Sequence, residues 1–359
     1  MKIMVLSIRE KSAGTIVADV KKDFIHLEYL YHDTTPILPF IKNGQAENIA
    51  AYLTARMSEA KVSNIPIYLS LPPSCSKIDC FKTEYSNDET ILDFVKTKLQ
   101  SDSNEDYTVD IPMSRGKYGA FYTTGAGVPL KIIDSLLEAA TAANIDVASI
   151  EPDILAAVRF IWQYDQRFLV LDIGETTAYL TGYDHSRGFF TTPYGTLGTN
   201  SLLAGGLGGL KKELRLFGMV AQETLGSDSF ENSPLYIFTD CQRKPAQKIM
   251  SALKTDAEIS PRVVAMGNTT LTKISSAKNL KSELIYTSDC FNLPLGLALK
   301  SLFERRSTLA QSANDEFITG KIPLGEEMPE NEESNKTWRS YFNRFLERNN
   351  LRRNSGNSL

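Results

Sequence analysis

The residues best equipped for chemistry lie in Leu171-Asp172-Ile173-Gly174-Glu175-Thr176-Thr177. The apolar run Phe168-Leu169-Val170-Leu171 leads into Asp172, as a strand covered on both faces would. Gly174 permits positive φ and a close backbone approach. Thr176 and Thr177 add hydroxyls and backbone amides. An Asp-x-Gly-x-Thr-Thr turn between two strands can hold a metal-bound phosphate. Its carboxylate orients Mg²⁺ or the metal's waters, and its amides face the phosphate oxygens. The same residues also make a plain hairpin in which Asp172 and Gly174 serve only the bend. Glu175 is the side chain beside the turn that could act as a base, or it is simply an exposed turn residue.

Other chemistries find less support. The three histidines, His26, His32 and His185, are scattered, so neither a zinc site nor a His-dependent triad is expected. Cys75, Cys80, Cys241 and Cys290 lack C-x-x-C spacing and fit a reduced, cytosolic compartment, with Cys75 and Cys80 as small buried apolar residues. The glycine-rich stretch Gly195–Leu210 imitates a dinucleotide fingerprint, but it lacks the strand-to-helix placement and the downstream acid. A net charge of −4 and a pI near 5.6 argue against a nucleic-acid binder. No apolar run approaches the ~20 residues that span a bilayer. The opening Met1–Lys11 reads as a first strand and not as a signal peptide.

The elements that must position the turn follow from periodicity. Strands are expected at 4–8, 14–20 and 24–31, then a helix over 43–59 with Ile49, Leu53 and Met57 at four-residue spacing. Strands at 65–71 and 77–84 and a helix from Asn87 or Asp88 to Leu99 come next. Paired strands at 107–112 and 117–124 precede an apolar-striped helix at 129–143. A strand at 145–152 ends in Glu151-Pro152, and Asp153 is read as the cap of a helix reaching Tyr164. The featured hairpin, a third strand at 188–193, a helix at 210–224, a strand at 235–238 and a final core helix at 293–304 complete the pattern. Both halves open with a meander, at 3–31 and 168–193, a hint of a duplicated fold.

This order of pieces, with Ile150-Glu151-Pro152-Asp153, Leu171–Thr177 and the closing Pro294-Leu295-Gly296-Leu297-Ala298-Leu299-Lys300, resembles one family. It is similar to the PilM group of type IV pilus assembly proteins, within the actin-like ATPase superfamily that also holds the cell-division protein FtsA. The resemblance covers about residues 1–305. It implies an α/β, two-lobed actin-like (ribonuclease H-like) fold with a small inserted α+β subdomain and a C-terminal amphipathic helix. The first lobe would be 1–165 with the insert at about 38–148, and the second 166–306. A site of this kind takes ATP with Mg, and the resemblance places it at Asp172, Gly174, Glu175, Thr176 and Thr177.

Departures from the pattern bear on that site. The superfamily has two facing Asp-x-Gly turns. Here the first strand runs into Ser7-Ile8-Arg9-Glu10-Lys11-Ser12, with neither Asp nor Gly. Bulky Thr239-Asp240-Cys241-Gln242-Arg243 stands where glycines would admit adenosine. Arg9 or Lys11 could bind phosphate as a point charge, but a degenerate nucleotide site is the expectation, with no catalytic residue, no metal ligand and little or no ATPase activity.

Beyond about 307 an acidic stretch, with Glu326, Glu327, Glu330, Glu332 and Glu333, reads as a flexible linker to 335. Residues 336–359 then carry Trp338, Tyr341, Phe342, Phe345 and Leu346 at helical spacing, flanked by Lys336, Arg339, Arg344 and Arg348. A basic, aromatic-faced helix on a tether suits an anionic membrane surface. The rivals are packing back on the body or a helix-in-groove contact with a partner. FtsA is similar in ending this way. The resemblance therefore implies a cytoplasmic scaffold of a pilus or related secretion machine, peripheral on the inner face of the plasma membrane. It would recruit the cytoplasmic N-terminal peptide of an inner-membrane protein, with no nucleic acid as partner. An active Mg-ATP-binding ATPase and a membrane-tethered filament former are the alternatives.

Overall fold

In the computed structural model, residues 1–174 are described except 23, 84–87, 101–104, 118–119 and 162–166. Beyond 174 the described residues are 178–184, 188–192, 208–225, 230, 233–239, 248–249, 251–253, 255, 263–264, 274–276, 291–302 and 304. The expected linker and the tail helix at 336–359 lie outside them.

The chain opens with an antiparallel meander: β1 (Lys2–Ile8), β2 (Ala13–Val20) and β3 (Ile25–Asp33). β1 is buried from Ile3 to Ile8, so its run of apolar residues is that of a central strand. A short helix α1 (Leu38–Lys42) precedes α2 (Ala46–Glu59). α1 escapes periodicity because one turn and a proline are too little pattern to read. β4 (Ile67–Leu71) and β8 (Val147–Pro152) then add in parallel beyond β1. With β14 (Ile274–Ser276) they complete a six-stranded sheet ordered β14-β3-β2-β1-β4-β8. Its outer face shares a core with α1, α2 and α4 (Leu130–Ala142), built from Met4, Leu6, Leu38, Ile49, Leu53, Leu69, Leu136 and Ile150.

Between β4 and α4 sit β5 (Lys77–Thr83), α3 (Asp88–Gln100), β6 (Tyr107–Lys117) and β7 (Ala120–Pro129). They form a three-stranded sheet, β5-β7-β6, with Ile91, Val95 and Leu99 of α3 packed against it. This unit spans 77–129, and β4, β8, α2 and α4 around it pack in the six-stranded layer. β6 and β7 also run longer than expected. β6 passes through Pro112, where the ladder shifts register between Asp110 and Met113. A proline cannot donate to a ladder, so it sits at an irregularity on an edge strand.

The second half repeats the plan. β9 (Arg167–Ile173), β10 (Ala178–Asp184) and β11 (Gly188–Thr192) form an antiparallel meander. β12 (Leu235–Thr239) and β13 (Val263–Val264) extend it in parallel, in the order β11-β10-β9-β12-β13. The helix α6 (Gly208–Leu225) covers its outer face, where Phe217 and Phe230 pack edge to face.

The inner faces of the two large sheets meet through α5 (Asp153–Ile161) and a closing helix at 291–302. Ile3, Val5 and Ile16 from one sheet, and Phe168, Val170 and Tyr236 from the other, share one core with Leu155, Val158, Leu297 and Leu299. Every residue of α5 is buried, as a helix sandwiched between layers must be. The two helices cross at Gly296, where a Cβ would lie 1.9 Å from the carbonyl oxygen of Ala156. Two glycine substitutions should therefore have opposite signs. Gly296→Ala forces backbones apart and is expected to cost about 3 kcal/mol. Gly218→Ala, on α6 with open space at its Cβ, is expected to gain about 0.5–1 kcal/mol from helix propensity. Urea unfolding of both variants measures the contrast.

Candidate functional site

The cleft between the two meanders is where the sequence places a phosphate site. Asp172 sits near the end of β9 and is 7% exposed, and Gly174 is buried beside it. Glu175, Thr176 and Thr177 lie outside the described residues. Opposite Asp172, β1 ends at Ile8, and the Arg9 amide donates to the Ser12 carbonyl oxygen across a tight turn at 2.9 Å. The turn thus uses that amide internally, and Arg9 points its side chain into the cleft. Lys11, by contrast, is exposed.

The Arg9 guanidinium is buried, at 7% exposure. One nitrogen, Nη1, donates to Asp172 at 2.8 Å and to Asp153 Oδ2 at 2.9 Å. The other, Nη2, donates to the second Asp172 oxygen. Both oxygens of Asp172 are therefore engaged by one guanidinium in the fork geometry that arginine and carboxylate share. Asp153 Oδ1 also accepts from the Ser7 hydroxyl at 3.4 Å. Asp153 was expected to cap α5. It is instead the first helical residue, fully buried, with its carboxylate turned to Arg9. Burial pushes the Asp153 carboxyl up to about 6, and the Asp172 charge adds to this, against the pull of Arg9.

These residues do not fit a magnesium-bound phosphate. The acid that would orient the metal has both oxygens on a cation of the protein itself, and the first turn contributes that cation in place of an acid. Arg9, anticipated as a phosphate ligand, has two carboxylates as partners. Among the described residues no cluster of His, Cys, Asp and Glu could hold a metal ion.

A second charged group lies one strand end away. Glu151, on β8, has no exposure. Arg159 on α5 donates to both its oxygens, at 2.7 and 2.6 Å. Lys300 on the closing helix donates to it at 3.0 Å and to the Ser149 hydroxyl at 2.5 Å. Arg159 also reaches the Gly296 carbonyl oxygen at 3.4 Å. Burial works to raise the Glu151 carboxyl, but Arg159 and Lys300 hold it below the ordinary carboxylate range. Sequence reasoning passed over this network. Its signal was present: Glu151, Arg159 and Lys300 interrupt otherwise apolar elements, and a charge on a buried face needs a partner.

Comparison with family models and with curated proteins returns no match. Among solved structures, the PilM–PilN type IV pilus biogenesis complex is similar at TM-score 0.64 and 15% identity, over 84% of this chain and 99% of that one. Weaker likenesses include the cytoplasmic domain of EpsL, an inner-membrane component of the type II secretion system of Vibrio cholerae. It has a TM-score of 0.43 and 10% identity, over 83% of this chain and 95% of that one. The ethanolamine utilization protein EutJ of Carboxydothermus hydrogenoformans has a TM-score of 0.42 and 11% identity, over 83% and 89%. The chain thus has the two-lobed actin-like fold of PilM, as the sequence pattern implied, and the likeness at these identities is one of fold.

The two buried acids should affect stability with opposite pH signs. Glu151, depressed when folded, stabilises above its unfolded value near 4.5, and that share is lost as pH falls through the lower folded value. Glu151→Gln leaves two buried cations against a neutral group and is expected to cost about 3–5 kcal/mol at pH 7. Asp153 is raised when folded, so stability declines as pH rises from about 4 to 6. Asp153→Asn should flatten that decline, which amounts to roughly 3 kcal/mol. Urea midpoints at several pH values read both effects.

Proposed function

We propose that this chain is an actin-like scaffold of a type IV pilus or related secretion assembly that binds an inner-membrane component and hydrolyses no ATP. The carrying observation is the Arg9 guanidinium seated between Asp153 and Asp172, in a chain with the fold of PilM. PilM occurs in a complex with PilN, and by analogy the partner here is the cytoplasmic segment of a membrane protein of the same machine. A scaffold needs the fold's rigid two-lobed frame and not its nucleotide chemistry, and the cleft's charges support that division. Among the described residues, Asp172 has both oxygens on Arg9, and the Arg9 amide donates within its own turn.

Membrane placement rests on the tail. Among the described residues no helix is long and apolar enough to cross a membrane. The basic, aromatic-faced segment 336–359, carrying Trp338, Arg339, Tyr341, Phe342, Arg344, Phe345 and Leu346, would hold the scaffold against an anionic bilayer.

Two measurements bear on this reading. A thermal-shift titration with millimolar Mg-ATP is expected to leave the melting temperature unchanged. A stabilisation of about 4 kcal/mol, as a micromolar site would give, favours the ATPase reading. Circular dichroism of a 336–359 peptide should show helix gained on vesicles containing anionic lipid and not on neutral ones. A peptide that stays unstructured on both removes the membrane role of the tail.

A further inference from the structure

The Arg9 cluster is an interaction between lobes as well as an obstruction. Arg9 follows β1 and Asp153 follows β8, both in the six-stranded sheet, whereas Asp172 lies on β9 of the five-stranded sheet. The pairs Arg9–Asp153 and Arg9–Asp172 join residues 144 and 163 positions apart. The guanidinium is therefore held on its own sheet by Asp153, which also accepts from the Ser7 hydroxyl, and it grips the opposite sheet through both oxygens of Asp172.

Other contacts between the halves run along the crossing of α5 and the closing helix, and between β11 and the three-stranded unit, where Cys80 joins the core of the five-stranded sheet. Glu151, Arg159 and Lys300 fix that crossing from the six-stranded side. The lobes can turn about this crossing only if the cleft ahead of α5 is free to widen. The cleft is fastened at that point, because α5 begins at Asp153.

We propose that Arg9 is a built-in clamp that closes the two lobes on each other, doing from within the chain what a metal-bound phosphate would do as a ligand. It goes beyond the scaffold reading, since a clamp of this kind would act whatever machine the protein serves. The chemistry that recognises Asp172 is that of any compact cation with two donors in a plane. The cleft is built for one such group, and the chain supplies it. Lobe closure is then a fixed property of the fold, present with or without nucleotide.

The charge count states what removal would do. One guanidinium lies between two buried carboxylates, so Arg9→Ala leaves Asp153 and Asp172 facing each other with no cation between them. Like charges at that distance repel, and the cleft can relieve this by widening or by taking up a divalent ion. Arg9→Lys keeps the charge but replaces the planar fork with a point donor, which cannot hold both oxygens of Asp172 and reach Asp153 at once.

The test is small-angle X-ray scattering of the full chain and the two variants, with and without 5 mM MgCl₂ (about the range in which weak oxygen sites fill). Circular dichroism and a cooperative melt establish that each variant is folded. The wild-type radius of gyration should be the same in both conditions. Arg9→Ala should show a larger radius without magnesium and recover toward the wild-type value with it, accompanied by a magnesium-dependent rise in Tm that the wild type lacks. Arg9→Lys should be intermediate, and it carries the test if Arg9→Ala does not fold. A folded Arg9→Ala or Arg9→Lys with the wild-type radius in both conditions overturns the clamp. An ATP-dependent thermal shift in the wild type would bear on the scaffold reading alone, so the two can fail separately.

Discussion

Two sheets from opposite halves of the chain must present their carboxylates to one guanidinium, and much of the architecture answers to that requirement. Arg9 can reach Asp172 only if β1 and β9 end at the same level across the cleft. That level is set by the shared core, in which Ile3 and Val5 of one strand and Phe168 and Val170 of the other pack on the same two helices. The hydrophobic layer thus supplies the stabilisation, and the ion pairs supply the register. Buried ion pairs roughly break even against their own desolvation, yet lose several kcal/mol when one partner is removed. A cluster with those energetics discriminates between arrangements of the lobes more than it adds to the depth of the folded state.

α5 connects the two charged groups. Its first residue, Asp153, is bound to Arg9, and two turns later Arg159 is bound to Glu151. Glu151 and Asp153 are two residues apart in the chain but serve different cations, one toward the cleft and one toward the closing helix. α5 therefore cannot slide along its axis without breaking one set of charge-assisted bonds. Gly296 lets the closing helix approach the Ala156 backbone closely. A helix held at both ends and closely packed in the middle is a rigid strut between two sheets, and a strut of this kind transmits closure at the cleft to the closing helix.

Much of the fold was legible because it rests on local pattern. The apolar run ending at Asp172, the alternating strands of both meanders and the striped helix at 130–142 each carry their period in a short window. The failures share a physical cause as well. Asp153 looked like a helix cap because Asp at a helix start usually is one; its actual partner lies 144 residues away. Arg9 was readable as a cation near a cleft, but whether a cation meets phosphate or carboxylate depends on what the other half of the chain brings to it. Glu151, Arg159 and Lys300 were each visible as charges on buried faces. Matching them required knowing which faces meet. The six-stranded layer is hard to read for a related reason: β4 pairs with β1 and β8 with β4, parallel pairings that leave no hairpin signal in the sequence.

The same accounting explains how Asp172 keeps a buried position in the cleft. A carboxylate at 7% exposure needs donors or a cation in place of the water it has lost. With Arg9 after β1 and Asp172 near the end of β9, the two turns attract directly. Once the guanidinium is in place, Asp172 is required for the arginine's burial as much as the arginine is for its own.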